Sequence, residues 1–128
     1  MSVNQSKLIK VARKDWDYIL SLRNSNYEYF LTQNTPITKK EHYAYMERKK
    51  NDPNYHQYLY DKKCYIRIDD KDISVITDPK FRRMGLATDA IVELCRLHGT
   101  KYFTTIRMDN ITSFNVFYKA MNILSDHA

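Results

Sequence analysis

Apolar and polar positions change period several times along this chain, and each change marks an element. Residues 8–12 alternate weakly, as a first strand does. From Asp15, a candidate N-cap, the period lengthens to that of a helix, with Trp16, Ile19, Leu20 and Arg23 on or near one face. The stretch 24–34, rich in asparagine and tyrosine, has no clean period and reads as a loop or a short helix. Thr38-Lys39-Lys40-Glu41 is a capping box, in which threonine and glutamate satisfy each other's free amides. The helix it opens carries His42, Tyr43, Tyr45 and Met46 and ends by Asn51-Asp52-Pro53.

Beyond that proline the pattern becomes that of strands. Residues 56–60, a turn at Asp61-Lys62 and residues 63–68 form one hairpin. In its second arm Cys64, Ile66 and Ile68 alternate with Tyr65 and Arg67, the mark of one buried face. A tight turn around Asp70-Lys71 leads to the β-branched run 73–77, and Asp78-Pro79 ends it because proline has no amide to give to a ladder. The three strands are expected to form an antiparallel meander. Ala87, Ala90, Ile91, Leu94 and His98 then recur at helical spacing, with Gly99 where a helix would stop. Residues 102–107 read as another strand, parallel to the one before the helix. Residues 111–121 read as a last helix, with Ile111, Phe114, Phe117 and Met121 at apolar spacing. The fold class is α/β (α+β): a mixed, mostly antiparallel central sheet with about four flanking helices in a single domain, 1–128.

Composition narrows the partners. The net charge of +6 favours anions: a phosphorylated cofactor, a nucleotide-linked substrate or nucleic acid. Lys39-Lys40 and Arg48-Lys49-Lys50 read as solvated helix faces. Eleven tyrosines against five phenylalanines imply a core with many half-exposed members. Cys64 and Cys95 have no C-x-x-C partner and are expected to be buried free thiols. There is no secretory h-region, no apolar run of membrane-spanning length and no metal-ligand cluster, so a cytoplasmic protein without membrane contact is expected.

The chemistry concentrates between the run 73–77 and the helix after it. Lys80-Phe81-Arg82-Arg83-Met84-Gly85-Leu86-Ala87 is a basic turn with one of only two glycines. The first turn of a helix leaves amide N–H groups without partners and carries partial positive charge. Gly85 and small Ala87 allow an anion to approach closely, and Lys80, Arg82 and Arg83 add charge at the rim. A pyrophosphate site is expected here. The pattern matches neither G-x-G-x-x-G nor G-x-x-x-x-G-K-[ST].

Arg82-x-x-Gly85-x-Ala87, after a strand and opening a helix, resembles the acetyl-CoA pyrophosphate loop of the GNAT superfamily of N-acetyltransferases. The order of elements is similar to that family's domain throughout. Leu22-Arg23-Asn24, Thr38-x-x-Glu41-His42 and Tyr65-Ile66-Arg67-Ile68 resemble a subgroup that includes amino-sugar acetyltransferases and lies near the ribosomal-protein acetylating members. The resemblance implies acetyl-CoA as co-substrate, with Arg82, Arg83, Met84, Gly85, Leu86, Ala87 and Thr88 at its pyrophosphate. It also implies an oxyanion donor from the backbone near Ile76 or Thr77. The family's second signature, an asparagine, a small residue three on and a tyrosine about seven on, falls on Asn110, Ser113 and the pair Phe117-Tyr118. Strict spacing places Phe117 at the tyrosine position and Tyr118 one residue past it, a turn of roughly 100 degrees along a helix. Tyr118 is the candidate acid for the departing thiolate. The family usually continues with two more strands, which are missing or truncated here; two readings are open, a naturally short protein or an edge covered by a partner subunit, as in a homodimer.

The implied reaction is direct transfer of an acetyl group to a primary amine of a small molecule, such as a nucleotide-linked amino sugar, or of a protein. His42, His56, Asp69, Asp70, Asp72 and Glu41 are all open as the base, each with a structural or solvent-facing alternative. His98 reads as a favourable charge at a helix C-terminus. Arg23 is open to two readings, contact with an anionic acceptor or a surface ion pair. The alternatives for the whole chain are a nucleic-acid-binding module and a degenerate CoA-binding protein with little turnover. No RNA-binding signature supports the first.

Overall fold

The computed structural model describes residues 7–25, 35–82, 84–99 and 111–126. β1 (Leu8–Lys10) is followed by a 3₁₀ turn (Arg13–Asp15) that runs into α1 (Trp16–Ser25), and then by α2 (Lys39–Lys49). Next come β2 (Tyr55–Tyr60), β3 (Cys64–Asp69) and β4 (Asp72–Thr77). A second 3₁₀ turn (Pro79–Phe81) leads to α3 (Leu86–His98), and α4 (Ile111–Asp126) closes the series. The strands lie in the order β1-β2-β3-β4, every neighbouring pair antiparallel. The meander is present as expected, and β1 extends it on the β2 side. The strand expected at 102–107 lies outside the described residues.

Local chemistry explains the boundaries. Thr38 Oγ1 accepts the Glu41 N–H at 3.2 Å while Glu41 Oε1 accepts the Thr38 N–H at 3.1 Å, closing the capping box. Asp15 does not cap α1 as its spacing suggests. It ends the 3₁₀ turn, and its carboxylate reaches back to the Ala12 N–H at 2.9 Å. The β2–β3 hairpin turns on Asp61 (φ +52°) and Lys62 (φ +57°). Two successive left-handed residues make a tight turn that matches the strand twist, and Lys63 completes the three-residue connection between Tyr60 and its partner Cys64. The Lys63 N–H closes the turn onto the Tyr60 carbonyl at 3.0 Å.

The pleat divides the core in two. On one face Tyr58, Tyr60, Cys64, Ile66, Ile68 and Ile73 pack against Ala90, Ile91, Leu94 and Cys95 of α3, with Ala120 of α4 behind. On the other, Leu59, Tyr65 and Ile76 meet Trp16, Ile19 and Leu22 of α1 and Met46 of α2. The sheet is therefore covered on both faces, and the single buried face expected for β3 is corrected. The second face escapes a hydrophobicity pattern because tyrosines carry much of it.

Among the described tyrosines, half-exposed rings are found as expected at Tyr18, Tyr43 and Tyr45, but four others lie deeper. Tyr55, Tyr58, Tyr60 and Tyr65 are all buried. A buried hydroxyl without a partner costs about 1–3 kcal/mol, so burial requires hydrogen bonds. The Tyr55 and Tyr65 hydroxyls lie 3.0 Å apart, Tyr45 donates to Tyr55 at 3.1 Å, and Tyr65 donates to Gln57 Oε1 at 2.9 Å. Tyr58 meets His98 Nε2 at 2.7 Å. Burial raises the pKa of Tyr65 to about 12, so this chain of phenols stays neutral. Both cysteines are buried free thiols, as expected. Among the described residues no helix is long and apolar enough to cross a membrane.

Candidate functional site

The segment between β4 and α3 is built from its first residue. Asp78 has Pro79 at the next position, a pairing that caps a turn with a ring already set for it. Its carboxylate accepts the Lys80 N–H at 3.0 Å and the Tyr18 hydroxyl at 2.7 Å. The Lys80 amide, then the Tyr18 hydroxyl and the Lys80 charge, hold this carboxyl below its ordinary range despite burial. The same contact and burial raise the Tyr18 pKa. Asp78 thus staples α1 to the base of the loop. Sequence reading took it only as the end of a strand, though Asp-Pro was the available signal.

Phe81 packs on the α3 core cluster, and Lys63 Nζ lies 5.0 Å from its ring centre. Arg82 is exposed with an extended backbone, and Met84 is exposed. Gly85 then takes φ +76° and ψ +8°, the left-handed region, where a side chain is strained. A Cβ built there meets no atom within 4 Å. The glycine thus serves a backbone bend that faces open space. No side chain caps α3. Its first internal bond is Asp89 N–H to the Gly85 carbonyl at 3.1 Å, so helix geometry leaves the amides of Leu86, Ala87 and Thr88 without an intrahelical acceptor.

The predicted residues divide by what they offer. Arg82, Met84, Gly85, Leu86, Ala87 and Thr88 are contiguous about this bend; Arg83 and Asn110 lie outside the described residues. The side chains of Leu86 and Ile76 are buried in the two core clusters, so only their backbones are available. Thr77 Oγ1 faces Cys64 Sγ at 3.6 Å. Ser113 lies in the first turn of α4. Phe117 is partly buried against the α3 core while Tyr118 is 59% exposed. The two part company on α4 as a one-residue step requires.

A second polar group lies under α1 and α2. His42 has no exposed surface; its Nε2–H donates to the Trp16 carbonyl at 2.8 Å and its Nδ1 accepts from Arg23 at 3.0 Å. Burial, with Arg23 beside it, holds the pKa down in spite of the carbonyl contact, so this imidazole is neutral. His98 likewise has a lowered pKa, from burial and from the charges of His56 and Lys10. That corrects its reading as a favourable helix-end charge. A separate groove of about 400 Å³ is lined by Lys10, Arg13, Lys49, Gln57 and others; it includes the candidate base His56 but none of the residues predicted to hold the cofactor.

No protein-family model and no curated protein matches this sequence. Solved structures do. Spermidine N-acetyltransferase from Vibrio cholerae, in complex with CoA and spermine, superposes with a TM-score of 0.75 at 14% identity, over 88% of this chain and 78% of that one. An N-acetyltransferase from Staphylococcus aureus Mu50 gives 0.68 at 15%, over 91% and 82%. A domain from Methanocaldococcus jannaschii gives 0.66 at 16%, over 89% and 86%. This chain has the GNAT fold. At such identities the likeness is one of backbone course alone.

The two lowered histidines make a prediction. Their folded-state pKa values lie below the unfolded value of about 6.5. The unfolded chain therefore binds protons first on acidification, so their contribution is intact above about pH 6.5 and is lost as the pH falls below it. Thermal unfolding should show a melting temperature that drops between about pH 7 and 5, above the carboxylate window. The double variant His42→Gln/His98→Gln should show a flatter profile. A melting temperature that rises on acidification would contradict this.

Proposed function

We propose that the chain is an acetyl-CoA-dependent N-acetyltransferase. One observation carries this: the left-handed Gly85 bend between β4 and α3, exposed, open, and followed by amides that no side chain caps. Diphosphate oxygens are the acceptors such amides suit, and Arg82 adds a formal charge beside them. The shared fold supports the reading, since a solved structure of that fold holds CoA. Arg83, Met84, Leu86, Ala87 and Thr88 complete the proposed pyrophosphate loop, and Asn110, Ser113 and Phe117 are proposed as further cofactor residues.

In this reading the pantetheine arm lies along the side of β4 away from β3, and the backbone near Ile76 and Thr77 stabilises the oxyanion. A neutral amine nitrogen attacks the thioester carbonyl carbon, and the ammonium proton passes to water or a base. The tetrahedral intermediate collapses with loss of the C–S bond, and the thiolate takes a proton, leaving an amide and free CoA. We assign that last proton to Tyr118, because Phe117 has no hydroxyl and Tyr118 presents its ring outward from α4. The acceptor is read as a primary amine of a small molecule, with an amino sugar favoured over a protein. A net charge of +6 disfavours a polyamine such as the spermine of the Vibrio complex.

Gly85→Glu places a carboxylate where the diphosphate would sit. Calorimetry should show acetyl-CoA affinity at least about 100-fold weaker, about 2.7 kcal/mol, with the circular dichroism of the fold retained. Unchanged affinity would remove the reading's main support. In an assay of CoA release, Tyr118→Phe should lower kcat by about 100-fold with the affinity for acetyl-CoA intact. An unchanged kcat would return Tyr118 to the surface.

A further inference from the structure

Positive charge gathers about one ring of α2. The guanidinium carbon of Arg23 lies 4.9 Å from the Tyr45 ring centre, that of Arg48 5.6 Å, and the Lys49 ammonium 5.8 Å. Lys49 is neutralised by Asp69 at 3.3 Å and Asp52 at 3.8 Å. Arg67, nearby on β3, is matched by Asp72 at 3.6 Å. Among the described residues neither Arg23 nor Arg48 has a carboxylate partner. The surface ion pair expected as one option for Arg23 is therefore not among the described contacts.

Arg23 is also held in place. It is half-buried and donates to the Nδ1 of His42, a histidine with no exposed surface, itself fixed to the Trp16 carbonyl. A neutral imidazole orients a guanidinium without cancelling its charge. An arginine laid on an aromatic ring keeps its planar fork of N–H donors open for two-point contact with a carboxylate or phosphate. Position fits as well. The Tyr45 hydroxyl runs through Tyr55 to Tyr65, and Tyr65 stands opposite Ile76 in the sheet. Arg23 and Arg67 are both close enough to Tyr65 to hold its pKa back against burial.

We propose that Arg23 and Arg48 dock an acidic group of the acceptor, so that the substrate class is an amine that also bears a carboxylate or phosphate. This rests on the acetyltransferase reading. His42 is a positioning residue for Arg23. A polycation meets two guanidiniums with no carboxylate partner among the described residues and is disfavoured.

The test is CoA release at saturating acetyl-CoA with acceptors matched except for the acid. One pair is glucosamine and glucosamine 6-phosphate; the other is the peptide amide Ala-Gln-Gln and its acidic counterpart Ala-Glu-Glu. The acidic member of at least one pair should show kcat/KM about 10-fold higher or more, expressed in KM, and the two pairs separate phosphate from carboxylate. Arg23→Gln should remove that preference while leaving KM for acetyl-CoA and for the neutral member unchanged, and Arg23→Lys should fall between. If Arg23→Gln does not fold, exposed Arg48→Gln should weaken the preference. In wild type, raising salt from about 50 to about 300 mM should raise KM for the acidic member alone. Equal kcat/KM within both pairs, a preference for spermidine, equal loss on both members in Arg23→Gln, or bound acetyl-CoA with no turnover of any acceptor would overturn the proposal and leave the cofactor reading standing. Absence of acetyl-CoA binding would overturn both.

Discussion

A single left-handed residue governs this molecule's proposed chemistry. Gly85 turns the chain from the end of β4 into α3 with φ +76°, and no described residue beyond its chain neighbours comes within 4 Å of where a Cβ would stand. Because glycine is the N-cap, the cap residue has no side chain to satisfy the amides that follow. A capping serine or aspartate would stabilise the helix start by about 1 kcal/mol and close it to anions. The chain forgoes that gain and keeps the donors open. Everything nearby fixes the bend: Phe81 and Leu86 anchor it in the α3 core, and Asp78 ties its base to α1 through Tyr18.

The opposite face of the sheet follows another rule. There aromatic rings fill the space between β2, β3 and the two N-terminal helices, and their hydroxyls must be satisfied out of water. The line Tyr45, Tyr55, Tyr65, Gln57 does this with bonds of 2.9 to 3.1 Å. His42 bridges α2 to α1 in the same manner, and its burial keeps it neutral. This polar layer orders α1 and α2 over the sheet, with Arg23 and Arg48 on its rim and no carboxylate paired to either among the described residues.

The elements with strict periods were legible in the sequence. The capping box at Thr38 and the apolar stripe of α3 each carried a local signal and stand as read, and the alternation of Cys64, Ile66 and Ile68 marked one of the two buried faces of β3. The glycine turn was legible because a rare glycine between strand and helix has few explanations. Other features depend on contacts distant in sequence. Tyr18 and Asp78 are sixty positions apart, and Tyr58 and His98 forty, so no window on the chain shows them meeting. The second buried face was missed for a related reason: tyrosine counts as polar until its hydroxyl has a partner. Asp15 was misplaced by one turn because the 3₁₀ segment before α1 has the same composition as a helix start.

The most direct test is an amide NMR spectrum of the isotope-labelled chain titrated with acetyl-CoA. Perturbations concentrated on the backbone amides of Gly85, Leu86, Ala87 and Thr88, and on the side of β4 away from β3, are what this account requires. Shifts confined to the groove around Lys10, Arg13 and Gln57, or no shifts at all, would contradict it.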